Sequence, residues 1–180
     1  GNLGAAQSLE TIIDAARKLK DQPIKWVILG DGRRWEWMQE QVQKLELEEN
    51  VYLLGSRAVE TMPAYFSLAD AMLVTLRSDP IFAATIPGKV QSYLACGRPI
   101  IGALDGEGAK VIRESGAGFA VAAADAEGLA DYVLKMSEMS SDEKKEMGQK
   151  GIAYYRKNFN GENLIDQLEE WINKLTEKVQ

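Results

Sequence analysis

Apolar residues recur along the chain at helical spacing in some segments and form short continuous runs in others. Leu9, Ile12, Ile13, Ala16 and Leu19 lie on one face of a helix, which ends in the polar stretch that follows. The same reasoning predicts helices around Met38, Val42 and Leu45, after Pro63, over 88–95, around Val111 and Ile112, and near Leu129, Met147 and Trp171. The apolar runs predict strands over 26–29, 51–54, 71–76, 100–104 and 118–122.

Strands and helices alternate in this pattern, and each predicted strand is almost continuously apolar. This composition is typical of parallel sheets that helices cover on both faces. We therefore predict an α/β fold with a Rossmann-like, doubly wound, mostly parallel sheet. No internal repeat or linker interrupts the pattern, so residues 1–180 are predicted to form one domain.

The chain begins with a glycine-rich turn, residues 1–4, and continues directly into the first helix. Doubly wound sheets normally place a strand before such a turn. We therefore expect the chain to be part of a longer protein in which an apolar strand precedes Gly1 and lies centrally in the sheet. A sheet whose parallel neighbours are all contiguous would contradict this expectation.

Composition restricts the chemistry that the chain can perform. One cysteine and no histidine exclude an internal disulfide, a zinc site of the usual kind and a His-dependent triad from this chain alone. We expect no metal site and no cofactor. Cys96, before Gly97 at a helix end, is expected to be a packed thiol without a catalytic role, and Tyr93 and Trp171 have the spacing of core residues.

The formal net charge is -6 and the sequence pI is about 4.9, so the long-range field repels nucleic acid and we expect no nucleic-acid partner. An anionic ligand must then be bound by local groups. No apolar run approaches the roughly 20 residues that cross a bilayer. The N-terminus also lacks a signal-like stretch, which favours a cytoplasmic location and leaves attachment to the inner face of the membrane open.

The loops at the carboxyl ends of the strands are the candidate binding positions, because ligands of open α/β sheets bind there. Pro87, Gly88 and Lys89 begin a predicted helix after a strand and a long loop. Proline suits the first helical turn, glycine lets a ligand approach the backbone, and lysine adds a positive charge beside free N–H groups. The combination predicts a diphosphate site; a plain helix start with an exposed lysine is the alternative.

Two further turns follow predicted strands. Gly30, Asp31 and Gly32 form a close-approach turn whose carboxylate could accept hydrogen bonds from sugar hydroxyls, although such turns are common between strand and helix. The segment Gly55, Ser56 and Arg57 could present backbone groups to a base, with the guanidinium on the ring or on phosphate. A simple turn with a solvated arginine explains the second segment equally well.

The fourth candidate turn carries two acidic residues. Glu107, beside Gly106, could bind ribose hydroxyls through paired hydrogen bonds. Capping of the following helix by Asp105 is the alternative role for this turn.

Several of these segments together resemble a known family. They are GNLGAAQ at 1–7, GDG at 30–32, residues 54–56, Ala69 with Asp70, and PGKVQSYLACGRPII at 87–101. The chain resembles the C-terminal, donor-binding half of a retaining GT-B glycosyltransferase of the group 1 or family 4 type, in particular the enzymes of bacterial cell-surface polysaccharide synthesis. The long motif is specific, whereas GDG alone is not.

The resemblance implies a UDP-sugar donor, with N-acetylated amino sugars among the candidates, and transfer with retention and without metal. Its diphosphate would lie on the helix that begins at Gly88, and its base near Gly55 to Arg57. The implied partner is an N-terminal domain that binds the acceptor and supplies the catalytic base, so the catalytic residues are unknown from this chain. That domain would also carry any peripheral membrane association.

Departures from the family pattern change the expected site. Relatives often carry arginine and lysine in the first loop, where this chain has Asn2 and Gln7, and two glutamates eight residues apart, where it has Ala84 and Ser92. Glu107 is the expected replacement for the ribose-binding carboxylate. Lys89, with Arg98 and Arg57, is expected to supply the remaining positive charge near the strand ends.

Two other functions stay open at this point. A UDP-N-acetylglucosamine 2-epimerase shares the two-domain architecture, but it would bring different acidic residues and histidines, and the start of the helix at Gly88 argues against it. A non-catalytic α/β binding domain would use the same glycines only as turns. Stabilisation by UDP would distinguish this last alternative from an enzyme.

Overall fold

The computed structural model describes residues 1–177; within the last helix the side chains of 162–164, 166–167 and 175–177 are outside the description. The helices are α1 (Leu9–Lys18), α2 (Trp35–Lys44), α3 (Met62–Leu68), α4 (Pro80–Ala83), α5 (Gly88–Ala95), α6 (Gly106–Glu114), α7 (Ala126–Glu138), α8 (Ser141–Asn158) and α9 (Gly161–Glu177). The strands are β1 (Trp26–Leu29), β2 (Val51–Gly55), β3 (Met72–Thr75), β4 (Ile100–Ala103) and β5 (Gly118–Val121). Every predicted strand is present, with ends within one or two residues of the prediction.

All strand pairs in the described chain are parallel, as predicted. They form a two-stranded sheet, β1-β2, and a three-stranded sheet in the order β3-β4-β5. No hydrogen-bonded strand pair joins the two sheets in the described chain. A single contiguous sheet would have contradicted the expected additional central strand, and this sheet is not contiguous. The position of such a strand stays a prediction.

Residues 1–7 lie at the carboxyl ends of both sheets. Leu3 N–H donates to the Asp31 carbonyl after β1 at 2.8 Å, and Arg77 N–H after β3 donates to the Ala6 carbonyl at 3.0 Å. The segment ends in a 3₁₀ turn, Ala5–Gln7, which precedes α1. The first loop is therefore held between the two sheets on the side where ligands of this architecture bind.

Two clusters of buried side chains form the core. One includes α1, α2, β1 and α7, with Leu9, Met38 and Leu129 fully buried. The other lies between the β3-β4-β5 sheet, α5 and α6, with Leu94 and Ile112 fully buried. Because both helical layers pack on parallel strands, the predicted covering of the sheet by helices is confirmed.

Three local expectations differ from the structure. The loop before Pro87 contains the short helix α4, which the Asp79 carboxylate caps by accepting from Ile81 N–H at 2.9 Å. Cys96 is exposed rather than packed, because α5 ends there at the surface. Trp171, expected in the core, is 59% exposed because its side of α9 has no covering element in the described chain.

Replacing Leu94 with alanine should lower the free energy of unfolding by about 2–5 kcal/mol, because the side chain is fully buried and its removal leaves a cavity. Urea denaturation of the intact protein measures this. Leu68, which is 83% exposed on α3, gives the matched control, whose alanine variant should change stability by less than about 0.5 kcal/mol. Equal losses in the two variants would show that the core is not where the structure places it.

Candidate functional site

The carboxyl edge of the two sheets brings together the first loop, the turns after β1 and β2, and the start of α5. The Lys89 ammonium contacts the first loop. Its Nζ donates to the Gln7 side-chain oxygen at 2.6 Å, and its Cε and Nζ lie 3.1 and 3.3 Å from the position of a Cβ built on Gly1. Lys89 thus reaches from α5 to the first loop, which the sequence alone did not indicate.

Among the side chains that the structure describes, no carboxylate neutralises the Lys89 ammonium. It is partly buried, its described hydrogen bond goes to a neutral amide, and none of the described salt bridges includes it. Burial lowers the pKa of the Lys89 ammonium, since desolvation disfavours its charged form. A partly desolvated ammonium of this kind is stabilised by an anion.

The start of α5 is open. A Cβ built on Gly88 would meet no heavy atom within 4 Å, and no side chain caps the helix, whose N-cap is Pro87. Glycine is therefore not required there by packing, and no side chain occupies the Cβ position at the first residue of α5. Free amides and the positive end of the helix dipole favour an anion at this position.

A pocket of about 320 Å³ has Gly1, the residue next to the Lys89 side chain, in its wall, and no residue of α5 lines it. Its lining consists of Gly1, Asn2, Leu29, Gly30, Asp31, Ser56, Arg57 and Met62. The pocket therefore joins two of the predicted loops, those after β1 and β2, to the first loop.

The turn after β1 packs directly on the first loop. Gly30 has a φ of 138° and its N–H donates to the Gly55 carbonyl at 2.9 Å. A Cβ on Gly30 would lie 1.6 Å from the Gly1 carbonyl oxygen, so only glycine fits. The Asp31 carboxylate accepts from the N–H of Gly32 at 2.7 Å and is exposed on the pocket wall.

The turn after β2 holds its arginine through two contacts. Arg57 Nε donates to the Tyr65 hydroxyl at 3.2 Å, and its Nη1 donates to the Ser56 carbonyl at 3.2 Å. Tyr65 comes from α3, and Met62 at the start of α3 completes the pocket. Neither Tyr65 nor Met62 was a sequence candidate, because no motif marks them.

The start of α6 packs beside the start of α5. A Cβ on Gly108 would lie 2.8 Å from Pro87 Cδ, and Gly106, at a φ of 68°, adjoins the Ala83 carbonyl of α4. The alternative role for this turn required the Asp105 side chain to cap α6. The structure shows no such capping hydrogen bond. The Asp105 carboxylate accepts instead from Ser78 Oγ at 2.8 Å and from Ala123 N–H at 3.0 Å.

Several sequence candidates lie away from the pocket wall. Glu107 is in the first turn of α6, where its carboxylate lies 3.7 Å from Lys110 Nζ. The Ser92 hydroxyl donates to the Gly88 carbonyl within α5, at 3.0 Å. Arg98 donates to the Ser67 carbonyl at the end of α3, on the amino side of β3 and β4, so its expected place near the carboxyl ends is wrong. The reason is that α5 runs antiparallel to the strands and returns the chain to their amino ends.

Comparison with known proteins adds to this geometry. The sequence profile of glycosyl transferases group 1 matches residues 1–154. The chain belongs to this glycosyltransferase family. The predicted resemblance to a group 1, GT-B glycosyltransferase is thereby confirmed, and the family assignment favours it over a 2-epimerase.

Two curated relatives and one solved structure show the extent of the similarity. WcaI of Escherichia coli, named for colanic acid biosynthesis, is 30% identical over 97 residues, which are 54% of this chain and 23% of WcaI. N-acetyl-alpha-D-glucosaminyl L-malate synthase of Bacillus anthracis is 21% identical over 169 residues, 93% of this chain and 42% of the synthase. The structure of Anabaena HepE with UDP and glucose matches at 19% identity and a TM-score of 0.79, over 96% of this chain and 46% of HepE.

The chain spans less than half the length of each of these proteins. The likeness to HepE shows that this chain has the same fold as part of HepE, in agreement with the predicted Rossmann-like fold. None of the described helices is long and apolar enough to cross a membrane. In the same part of the chain, no cluster of three or more cysteine, aspartate or glutamate side chains is arranged to hold a metal ion.

The two glycines at the starts of α5 and α6 should respond differently to alanine. Gly106→Ala should lower the free energy of unfolding by at least about 2 kcal/mol, because the φ of 68° and a Cβ at 1.9 Å from the Ala83 oxygen both oppose it. Gly88→Ala should leave stability unchanged or raise it by up to about 1 kcal/mol, since the site is open and helical. Thermal or urea unfolding measures both; a marked loss in Gly88→Ala would contradict the open helix start.

Proposed function

We propose that this chain is the donor-binding part of a glycosyltransferase, in which the start of α5 and the Lys89 ammonium hold the diphosphate of a UDP-sugar. The observation that carries the proposal is the partly buried Lys89, which contacts a neutral amide and forms none of the described ion pairs. The open α5 start beside it supports the same assignment.

The charges favour a diphosphate over a neutral ligand. A lysine that loses hydration without gaining a carboxylate is unfavourable by itself, and a bound phosphate would offset that cost. The amides of α5 add hydrogen-bond donors, and its dipole adds partial positive charge. These groups act together because Lys89 is the second residue of the same helix.

The nucleoside would occupy the pocket whose wall includes Gly1, the neighbour of the Lys89 side chain. Gly55, Ser56 and Arg57 would contact the base, and Met62 would pack against it. Asp31, on the same wall, would accept hydrogen bonds from hydroxyls of the sugar. Glu107 stays our candidate for the ribose hydroxyls, because the starts of α5 and α6 are adjacent.

In the proposed reaction the bond between the anomeric carbon and the diphosphate oxygen breaks, and a bond to the acceptor oxygen forms with retained configuration. The departing diphosphate gains negative charge, which Lys89 and the α5 amides would stabilise. The acceptor and the group that takes its proton would be held by a further, acceptor-binding domain. This chain alone would bind the donor weakly and transfer nothing.

The names of the similar proteins support a narrower proposal. HepE was solved with UDP, and the synthase of Bacillus anthracis is named for an N-acetylglucosaminyl group. WcaI is named for synthesis of a polysaccharide. We therefore propose UDP as the nucleotide, an N-acetylated amino sugar as a candidate donor, and a cell-surface polysaccharide or lipid-linked acceptor, with the protein in the cytoplasm or at the inner face of the membrane.

Lys89→Ala should weaken UDP binding by about ten- to a hundredfold, because a charge-assisted contact to the diphosphate is lost. Isothermal titration calorimetry on the intact protein measures the affinity. Uridine, which has no phosphate, should bind the variant and the original protein equally well.

Lys145→Ala is the matched control, because Lys145 is an exposed lysine on α8. It should leave UDP affinity unchanged. Unaltered UDP affinity in Lys89→Ala would show that the diphosphate lies elsewhere. Absence of any thermal stabilisation of the original protein by UDP would favour the non-catalytic binding domain.

Glu107→Gln should lower UDP affinity by about tenfold and reduce the preference for UDP over 2′-deoxy-UDP, because a carboxylate accepts the ribose hydroxyls more strongly than an amide does. Competition binding with the two nucleotides measures the preference. Asp31→Asn is the control and should keep it. If the preference is lost in Asp31→Asn instead, the ribose ligand is the carboxylate of the pocket wall.

A further inference from the structure

The Gln7 backbone is held firmly at the carboxyl end of β3. Its carbonyl accepts a hydrogen bond from the hydroxyl of Thr75, which is buried at the end of that strand. The neighbouring Ala6 carbonyl accepts from Arg77 N–H at 3.0 Å. Because both bonds come from the strand and the loop that follows it, the side chain of Gln7 leaves the backbone from a fixed point.

The side chain of Gln7, in the first loop, contacts the side chain of Lys89, in α5. The Gln7 side-chain oxygen accepts from Lys89 Nζ at 2.6 Å, in a partly buried contact between residues 82 positions apart. A lysine has four rotatable side-chain bonds, so an unrestrained ammonium would sample many positions. The contact restricts it to the side of α5 that faces Gly1, a residue of the pocket wall.

The chemical type of the partner matters as much as the contact. Glutamine offers an oxygen acceptor without negative charge, so it orients the ammonium and leaves its charge for a ligand. A carboxylate at the same place would form an ion pair with Lys89 and compete with an anion. An apolar side chain of the same length would leave the ammonium without this acceptor.

We propose that Gln7 is a positioning residue in the binding of the donor diphosphate. It holds the Lys89 ammonium near the N-terminus of α5 without neutralising its charge. The inference rests on the proposed function, since it assumes that Lys89 contacts the diphosphate. It assigns a role to Gln7, a residue of the first loop that the sequence did not mark as a candidate site residue.

Two substitutions of similar size separate orientation from charge. Gln7→Met removes the acceptor and should weaken UDP binding by about three- to tenfold, the effect of one ordinary hydrogen bond. Gln7→Glu should weaken it by more than about tenfold, because the new carboxylate pairs with Lys89. Uridine affinity should stay the same in both, which a general structural defect would not produce.

Gln39→Glu is the matched control, because Gln39 is exposed on α2 and receives the same change in charge. It should leave the ratio of UDP to uridine affinity unchanged. Thermal unfolding of each variant shows whether it folds, and Gln7→Met, which adds no charge, carries the test if Gln7→Glu does not fold.

A double-mutant cycle decides whether Gln7 acts through Lys89. In the Lys89→Met background, Gln7→Met should cause no further loss of UDP affinity, measured by calorimetry on the intact protein. Additive losses would overturn the inference, as would unchanged UDP affinity in both single variants of Gln7. If the original protein binds UDP no better than uridine, the proposed function fails, and this inference fails with it.

Discussion

Residues 1–7 are hydrogen-bonded to the carboxyl ends of strands from both sheets, and the geometry of the site depends on these bonds. Leu3 is bonded to the turn after β1, and Ala6 and Gln7 are bonded to the end of β3 and the loop after it. Backbone hydrogen bonds fix position well, because both partners are parts of packed elements. The first loop is thereby fixed between the pocket and the start of α5.

The balance of charge at this place is the second constraint. A net charge of -6 gives the chain no general attraction for a phosphorylated ligand, so the positive charge must be local. Lys89 provides it within a partly buried setting, where an interaction with an anion is screened less than at the surface. The same burial lowers the pKa of the Lys89 ammonium, because desolvation disfavours its charged form. A bound anion would stabilise that charged form.

Family membership and local geometry answer different questions here. The family explains why a nucleotide-sugar site is expected at the carboxyl edge of this half. The departures at Asn2 and Gln7 suggested a loss of positive charge from the first loop, yet the structure places the Lys89 ammonium beside that loop. Positive charge beside the first loop can thus come from a residue of that loop or from a residue of α5, because the loops at one edge of the sheet converge.

The sequence by itself determined the parallel α/β fold, the strands and most helices, because hydrophobic spacing reflects which faces are buried. It also indicated the loops of the site, because the carboxyl ends of parallel strands share one edge. The sequence did not predict α4, the exposure of Trp171, the position of Arg98 or the contact of Gln7 with Lys89. These depend on packing between segments distant in the chain, 82 residues apart for the last pair, and local spacing carries no information about such contacts. Only the tertiary structure, which sets the direction of α5 and the position of the first loop, decided that the Lys89 ammonium contacts the first loop.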